Sequence, residues 1–454
     1  MIPARLRALR AALAAALLVL AAVLVGRHIQ HAHHTLFVNW PPLFASWDPH
    51  VGPGTPAAVA IAVAVVAYGP AVAARLRWRA LLVTAWGTAL AWTWSLALVD
   101  GWQRGVAERL TSRNEYLRVI DRFQDIPATL RDFDHHILSG DPAPWPAHIA
   151  GHPPGATVTF VLLDRIGLGG GGWAGAWCIT VGTTACVAVL VAVRVLADES
   201  LARRAAPFLV MAPAAVWVGA SGDGYFSAVA AWAVALLALA ATGHRTRASA
   251  FGAGLLFGLT CYLSYGLTLF ALIGAGVLVV ARDRVRSWAR PLPLVFLLAG
   301  LAVVPLVFTL AGFDWWEAYH LLVKRYYEGV GGTRPYSYWV WANLACTVVV
   351  VGLATAAGLD RAGVTLLRRR RGARPGPDVP DAAEGRLAVL VLSALLALLV
   401  ADLSGMSKAE TERIWLPFAL WMLPACAFLT RPGGWLAAQG VLALLVNHLL
   451  MTGW

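Results

Sequence analysis

An all-α, polytopic membrane fold is the class this sequence predicts, and three observations predict it. Of 454 residues, 59% are hydrophobic and only 13% charged, about half the charge of a soluble chain. The apolar residues fall in runs of bilayer-crossing length, and the Arg residues fall between alternate runs. Two or three soluble domains of this length need more polar surface than the chain carries. The same numbers exclude a disordered, collagen-like or disulfide-framework chain.

A hydrocarbon core requires roughly 20 apolar residues per helix, with about 17 tolerated. On that criterion thirteen spans are predicted: 11–27, 57–74, 80–99, 172–194, 205–220, 225–243, 249–264, 266–282, 291–311, 338–357, 386–404, 414–430 and 434–452. The stretch 249–282 is too long for one span, and Gly266 at its middle favours a hairpin. The first span resembles a signal peptide but lacks a small-residue cleavage site, so it is retained as a helix. The chain is read as a single transmembrane domain, 1–454. Cys178, Cys186, Cys261, Cys346 and Cys426 all lie in apolar runs and read as small buried hydrophobes without disulfides.

The net charge of +12 is explained by topology. All basic residues except Lys324 and Lys408 are Arg. With a cytoplasmic N-terminus, every predicted inside loop bears Arg: Arg75 to Arg79, Arg203 and Arg204, Arg245 and Arg247, Arg282 to Arg290, and Arg368 to Arg374. That is the positive-inside pattern. It places the C-terminus outside in a plasma membrane and removes the need for a nucleic-acid partner. The inside loop 359–385, rich in Arg, Pro and Asp, is expected to be a flexible linker, with anionic lipid binding as an open role.

The remaining chemistry gathers on the opposite face. The large outer loop 100–171 ends in an apolar stretch, 156–168, too short to span and read as a juxtamembrane helix. A second outer segment, 312–337, is aromatic and charged, and a third, 403–413, is short. No ATP is present on that face, so a reaction there draws on a pre-activated, lipid-linked substrate. Glu115 lies about fifteen residues beyond a span, where a carboxylate can act as general base toward an acceptor hydroxyl. It also reads as a solvated acid, and Glu108, Asp121 and Asp125 are equally ionisable neighbours. His152 precedes Pro153 and Pro154, which fix a helix start. It is expected at the protein–lipid boundary, donating to a phosphate or capping the helix. Lys408 and Arg413 fit a lipid phosphate, or ion pairs with Glu410 and Glu412. Lys324, Arg325, Arg334 and Tyr336 carry the same two readings. Asp223, in Ser-Gly-Asp-Gly-Tyr, reads as an exposed turn or as an acid facing a cavity. The His28–His34 cluster shows no metal spacing.

The order of these strings resembles the GT-C superfamily of integral-membrane glycosyltransferases, and more narrowly actinobacterial proteins of that type. Asn114-Glu115-Tyr116-Leu117 is similar to that family's Asp-Glu-Xaa-Tyr element. His152-Pro153-Pro154-Gly155 looks like its His-Pro-Pro-Leu element, and Asp223 matches a later acid. Thr333-Arg334-Pro335-Tyr336 and Glu412-Arg413-Ile414-Trp415-Leu416-Pro417 add to the likeness. It covers roughly 100–245, and more weakly 312–417. Asn114 stands where the family has its first acid, two additional spans precede the acidic loop, and no large C-terminal soluble domain is expected.

The resemblance implies transfer of a sugar from a polyprenyl-phosphate donor to an envelope glycan or glycolipid acceptor by inverting single displacement. Glu115 would be the base. Arg413, Lys408, His152 and Arg334 would hold the donor phosphate. Asn114, Tyr116, Asp223 and Tyr336 would border the cavity. No cofactor is implied, and a divalent metal is not indicated. A lipid or small-molecule transporter or flippase, and a non-catalytic assembly scaffold, are the competing classes. The lack of an internal repeat and the rarity of mid-span charge weigh against a transporter.

Overall fold

The structure, a computed structural model, describes residues 3–286, 292–370 and 381–453. Among the described residues, eight helices are long and apolar enough to cross a membrane, and the chain is a multi-pass, all-helical membrane protein. These eight include Thr55–Arg75, Gly171–Leu196, Gly222–Ala241 and Leu292–Leu310. Of the other predicted spans, 249–264 and 434–452 are the continuous 18-residue helices Thr246–Leu263 and Pro432–Leu449, and three fall on shorter or interrupted helices. The span at 205–220 starts earlier, at Glu199, where Asp198 Oδ1 accepts from the Leu201 amide at 2.7 Å. It stops at Val210, short of Pro213, and resumes as the single turn Ala215–Val218. The span at 266–282 opens as a 3₁₀ turn, Tyr265–Leu269, before the helix Phe270–Val280. The span at 414–430 is the helix Leu416–Met422 followed by the 3₁₀ segment Leu423–Phe428.

Two departures from expectation have local causes. The helix Tyr336–Arg370, interrupted at Gly352 with φ 79°, runs through the first part of the predicted linker 359–385. Ala, Leu and Arg there are good helix formers, and Asp360 is tied to Arg7 at 2.8 Å. Residues 371–380 of that linker lie outside the described residues, and the next helix starts at Ala382. The second departure is a short antiparallel pair, Ala45–Trp47 with Leu450–Thr452, which joins the segment after the first helix to the end of the last.

The connections separate onto two faces. On one, Arg203 donates to the Ala73 and Leu76 carbonyls, and Arg386 to those of Leu196 and Ala197. On the other, Arg109 reaches the Thr452 carbonyl, Arg325 those of Ile137 and Trp145, and Arg334 that of Leu36. We call these the arginine face and the site face. Between them, Thr246–Leu263 and Leu292–Leu310 pack backbone to backbone. A Cβ on Gly254 would stand 2.0 Å from the Leu297 carbonyl oxygen, and one on Gly300 2.1 Å from that of Phe251.

Candidate active site

The segment 100–155 folds as a π turn, Gln103–Ala107, followed by short 3₁₀ and α turns on the site face. Glu115 starts the 3₁₀ helix Tyr116–Phe123 from an extended conformation. The next residue, Tyr116, is buried against Phe160 of the helix Gly155–Arg165, with ring centroids 5.3 Å apart. This helix covers most of the stretch 156–168 and ends earlier, at Arg165, and Pro153-Pro154 precede its first turn. Gly155 allows its close seating, because a Cβ there would stand 2.5 Å from the Tyr262 carbonyl oxygen.

A residue the sequence reading did not single out completes the arrangement. His148 lies in the turn Ala147–Ala150, and its amide donates to the Asn114 carbonyl at 3.1 Å. This brings its ring beside the next residue, and Nδ1 stands 2.8 Å from Glu115 Oε1. On the other side of the ring, Arg413 Nη2 lies 3.4 Å from Nε2. A guanidinium only donates, so Nε2 accepts, and Nδ1, the nitrogen 2.8 Å from Glu115 Oε1, carries the proton. Arg413 Nη1 donates to Asp223 Oδ2 at 2.6 Å. Glu115, His148, Arg413 and Asp223 thus form one buried chain drawn from four separate elements. The signal for His148 was its place four residues before His152, which puts both on one side of a tight turn.

Local backbone supports this convergence. Ala409 and Glu410 both have positive φ, 73° and 63°, a conformation costing non-glycine residues roughly 1–3 kcal/mol each. The bend leads into the single turn Thr411–Ile414 and brings Glu410 Oε2 to 3.9 Å from Arg413. Glu412 does not pair with Arg413. Its Oε1 accepts from the Phe44 amide at 2.8 Å, and burial pushes its carboxyl up to about 7. Asp223 is no exposed turn. It sits in the first turn of Gly222–Ala241, capped by Ser221, and is 3% exposed.

The charges are set by this pairing. Burial alone would raise Glu115, but attraction to His148 and its hydrogen bond, with Arg413 and His152 adding, hold the carboxyl below its usual range. Burial likewise opposes the charge on Arg413, yet Asp223, Glu115 and Glu410 together raise its basicity. Glu115 Oε2 and the Tyr116 hydroxyl are buried without a hydrogen-bond partner among the described residues. Burial of the Tyr116 phenol, with Asp223 and Glu115 nearby, places its ionisation well above the usual range.

A cavity of about 640 Å³ opens beside this chain, within the range of small-molecule sites. Its lining combines polar residues, among them Asn114, His148, His152, Glu410 and Arg413, with apolar ones, among them Leu267, Leu269, Val400, Trp415 and Phe418. Glu115 does not line it, because the His148 ring stands between.

The expected phosphate ligands divide. Arg413 is at the cavity wall. Arg334 and Lys408 are buried behind it. Arg334 donates to the Leu36 and Lys408 carbonyls and lies 3.5 Å from Glu410. Lys408 Nζ donates to the Gly331 carbonyl at 2.7 Å. Both brace loops rather than face the cavity. Tyr336 does not line the cavity either, and its hydroxyl donates to the Leu403 carbonyl. His152 also departs from its expected role as a donor at the lipid boundary. Its Nδ1 proton goes to the His148 carbonyl at 2.7 Å, and its ring packs against Tyr116 and Phe226. Burial lowers its basicity to about 4, so the neutral ring offers Nε2 as an acceptor. Among the described residues, no group of three or more His, Cys, Asp or Glu is placed to hold a metal ion.

These features define a multi-pass helical membrane protein with a buried ionic chain ending on an amphipathic cavity. No family model and no curated protein matches the chain. Among solved structures, it is similar to the Archaeoglobus fulgidus oligosaccharyltransferase in complex with Zn and sulfate. Identity is 15% and the TM-score 0.43, over 81% of this chain and 51% of that one. The same enzyme tethered to an acceptor peptide gives 14%, 0.43, 77% and 48%. Archaeal AglB from Archaeoglobus fulgidus, in complex with an inhibitory peptide and a dolichol-phosphate, gives 14%, 0.41, 77% and 49%. The chain spans about half the length of these structures. Likeness of this grade assigns no residue and no reaction, and the site is read from its own geometry.

Proposed function

We propose that the protein is a glycosyltransferase of the GT-C type. It moves a sugar from a polyprenyl-phosphate donor to an envelope glycan or glycolipid on the outer membrane face. The observation that carries this reading is the Glu115–His148–Arg413–Asp223 chain, which presents a base and a phosphate-binding cation side by side on a cavity with both polar and apolar lining. The motif likeness at Asn114–Leu117 and His152–Gly155 supports the same class. The Arg-rich opposite face supports an outward site.

In the reaction, the donor phosphate draws Arg413 Nη2 from His148, which exposes the Nε2 lone pair. His148 then takes the acceptor hydroxyl proton as its oxygen bonds to the anomeric carbon. The sugar–phosphate bond breaks, and its electrons go to the phosphate, stabilised by Arg413. Glu115 holds the ring in the correct tautomer and balances the imidazolium. The sequence expectation of Glu115 as the base becomes a base pair of residues, with Glu115 positioning His148.

The test incubates purified, reconstituted protein with a panel of polyprenyl-phosphate sugars, mannose and arabinofuranose included, and glycan acceptors. Wild type should transfer. Glu115→Gln and His148→Ala should each lose about 10²-fold or more in kcat. Glu115→Gln should also move the limb of the pH–rate profile that reports the base. Near-wild-type rates in both variants would remove this pair from the mechanism. Donor binding without transfer by wild type would favour a flippase.

A further inference from the structure

A second cavity, of about 410 Å³, lies on the arginine face, far from the site. Three guanidinium groups line it, each from a different helix. Arg5 comes from Ala4–His33, Arg361 from Tyr336–Arg370, and Arg431 from the cap position of Pro432–Leu449. Among the described residues none of the three forms an ion pair, and the nearby Asp360 is taken by Arg7. The floor is apolar, formed by Ala8, Leu9, Phe428, Leu429 and Trp435.

The last helix adds to the positive potential. Arg431 has φ 56° and caps it with no side-chain hydrogen bond, and its first turn contains no acidic residue. A helix of 18 residues therefore presents uncapped amides and the positive end of its dipole. Gly433 and Gly434 leave open space above that turn, since a Cβ on either would meet nothing within 4 Å. Gathering three unneutralised cations around one amide-rich concavity is electrostatically unfavourable in an empty site. A phosphate relieves it, and the apolar floor beneath suits acyl chains.

We propose that this cavity binds the phosphate headgroup of an anionic membrane phospholipid, which joins the first helix, the Tyr336–Arg370 helix and the last helix on the arginine face. Trp435, a residue type enriched at membrane interfaces, lines the same cavity. The lipid neutralises the three Arg residues and extends its chains along Leu9 and Phe428. The source of the phosphate is the membrane rather than solution, because half of the lining is apolar.

The test uses the full-length protein in detergent, with native mass spectrometry and thermal melting. The probes are phosphatidylglycerol, phosphatidylcholine and inorganic phosphate. Phosphatidylglycerol should bind and raise the melting temperature, while the other two should not. Each cation near a surface contributes roughly a fivefold factor, so combining Arg5→Gln, Arg361→Gln and Arg431→Gln should weaken binding by about a hundredfold. The Arg75→Gln, Arg77→Gln and Arg79→Gln combination, on the same face outside the cavity, should retain it. Equal loss in both combinations, or an equal response to phosphatidylcholine, would overturn the proposal. Full competition by inorganic phosphate would reassign the cavity to a soluble anion. If the triple variant fails to fold, the comparison of lipids on wild type still decides.

Discussion

The guanidinium of Arg413 divides its nitrogens between Asp223 and the His148 ring. Replacing it with Ala would strand Asp223 in a buried position, and breaking such a pair costs about 3–5 kcal/mol. Its loss is therefore a poor probe of donor binding, and Glu115→Gln, which keeps shape, is the better one. His152 yields a separate prediction. Its basicity is near 4 in the folded protein, against roughly 6.5 for an unperturbed imidazole. Between those values the unfolded chain holds the proton and the folded chain does not. The stability it contributes is complete above pH 6.5 and is lost as pH falls toward 4. His152→Gln should thus melt with a shallower pH dependence than wild type across pH 4–6.5. Parallel melting curves would exclude this coupling. Glu115 acts in the same direction at lower pH, because its carboxyl is held below the usual range. Glu115, Asp223 and Arg413 were legible as chemistry-bearing residues from their rarity outside the Arg loops. His148 was not, because its role comes from contact with Arg413, 265 positions away. Arg334 and Lys408 were misplaced for the converse reason: a sequence reveals a cation but not the carbonyls that occupy it.

Among the elements, the paired helices Thr246–Leu263 and Leu292–Leu310 show how small residues replace hydrophobic drive inside a membrane. Gly254 and Gly258 lie four apart on one helix, each without space for a side chain against the other. Gly254→Leu or Gly300→Leu should separate the helices, at about 1–3 kcal/mol or more. Thermal denaturation in detergent would measure the loss. A melting temperature unchanged in both variants would show that the backbones do not touch. The four-residue spacing of Gly254 and Gly258 is the sequence signal of this contact, and hydropathy alone does not weigh it. The break at Met211–Ala214 was harder to find, since hydropathy averages over it, although Pro213 lies in it. The break at Ser264 was legible from the length of 249–282 and from Gly266, and packing around Tyr265, whose ring lies 5.0 Å from that of Trp315, accompanies it.

For the molecule as a whole, composition and the length of the apolar runs made an all-helical, multi-pass class legible, while the number of spans was not: thirteen were expected, and eight helices among the described residues are long and apolar enough to cross a membrane. The strand pair Ala45–Trp47 and Leu450–Thr452 lay beyond such reading, because each member is only three residues long. We expect the site face to be extracytoplasmic. Single cysteines introduced at Asp141 and Glu328 should react with an impermeant maleimide in intact cells, and ones at Arg79 and Arg247 only after permeabilisation. The opposite pattern would invert the protein and remove a lipid-linked donor on the outer leaflet from the argument.

The helix Leu292–Leu310 buries little besides Gly300 and Phe308, so most of its surface meets acyl chains. Directly beyond its end, the Asp314-capped helix Trp315–Glu328 carries Tyr319 and Leu322 onto the cavity wall. A helix so exposed answers to hydrocarbon thickness by tilting, and the wall moves with it. The expected consequence is that chain length in the surrounding lipid bears on the cavity, and ligand affinity measured in bilayers of different thickness would check it.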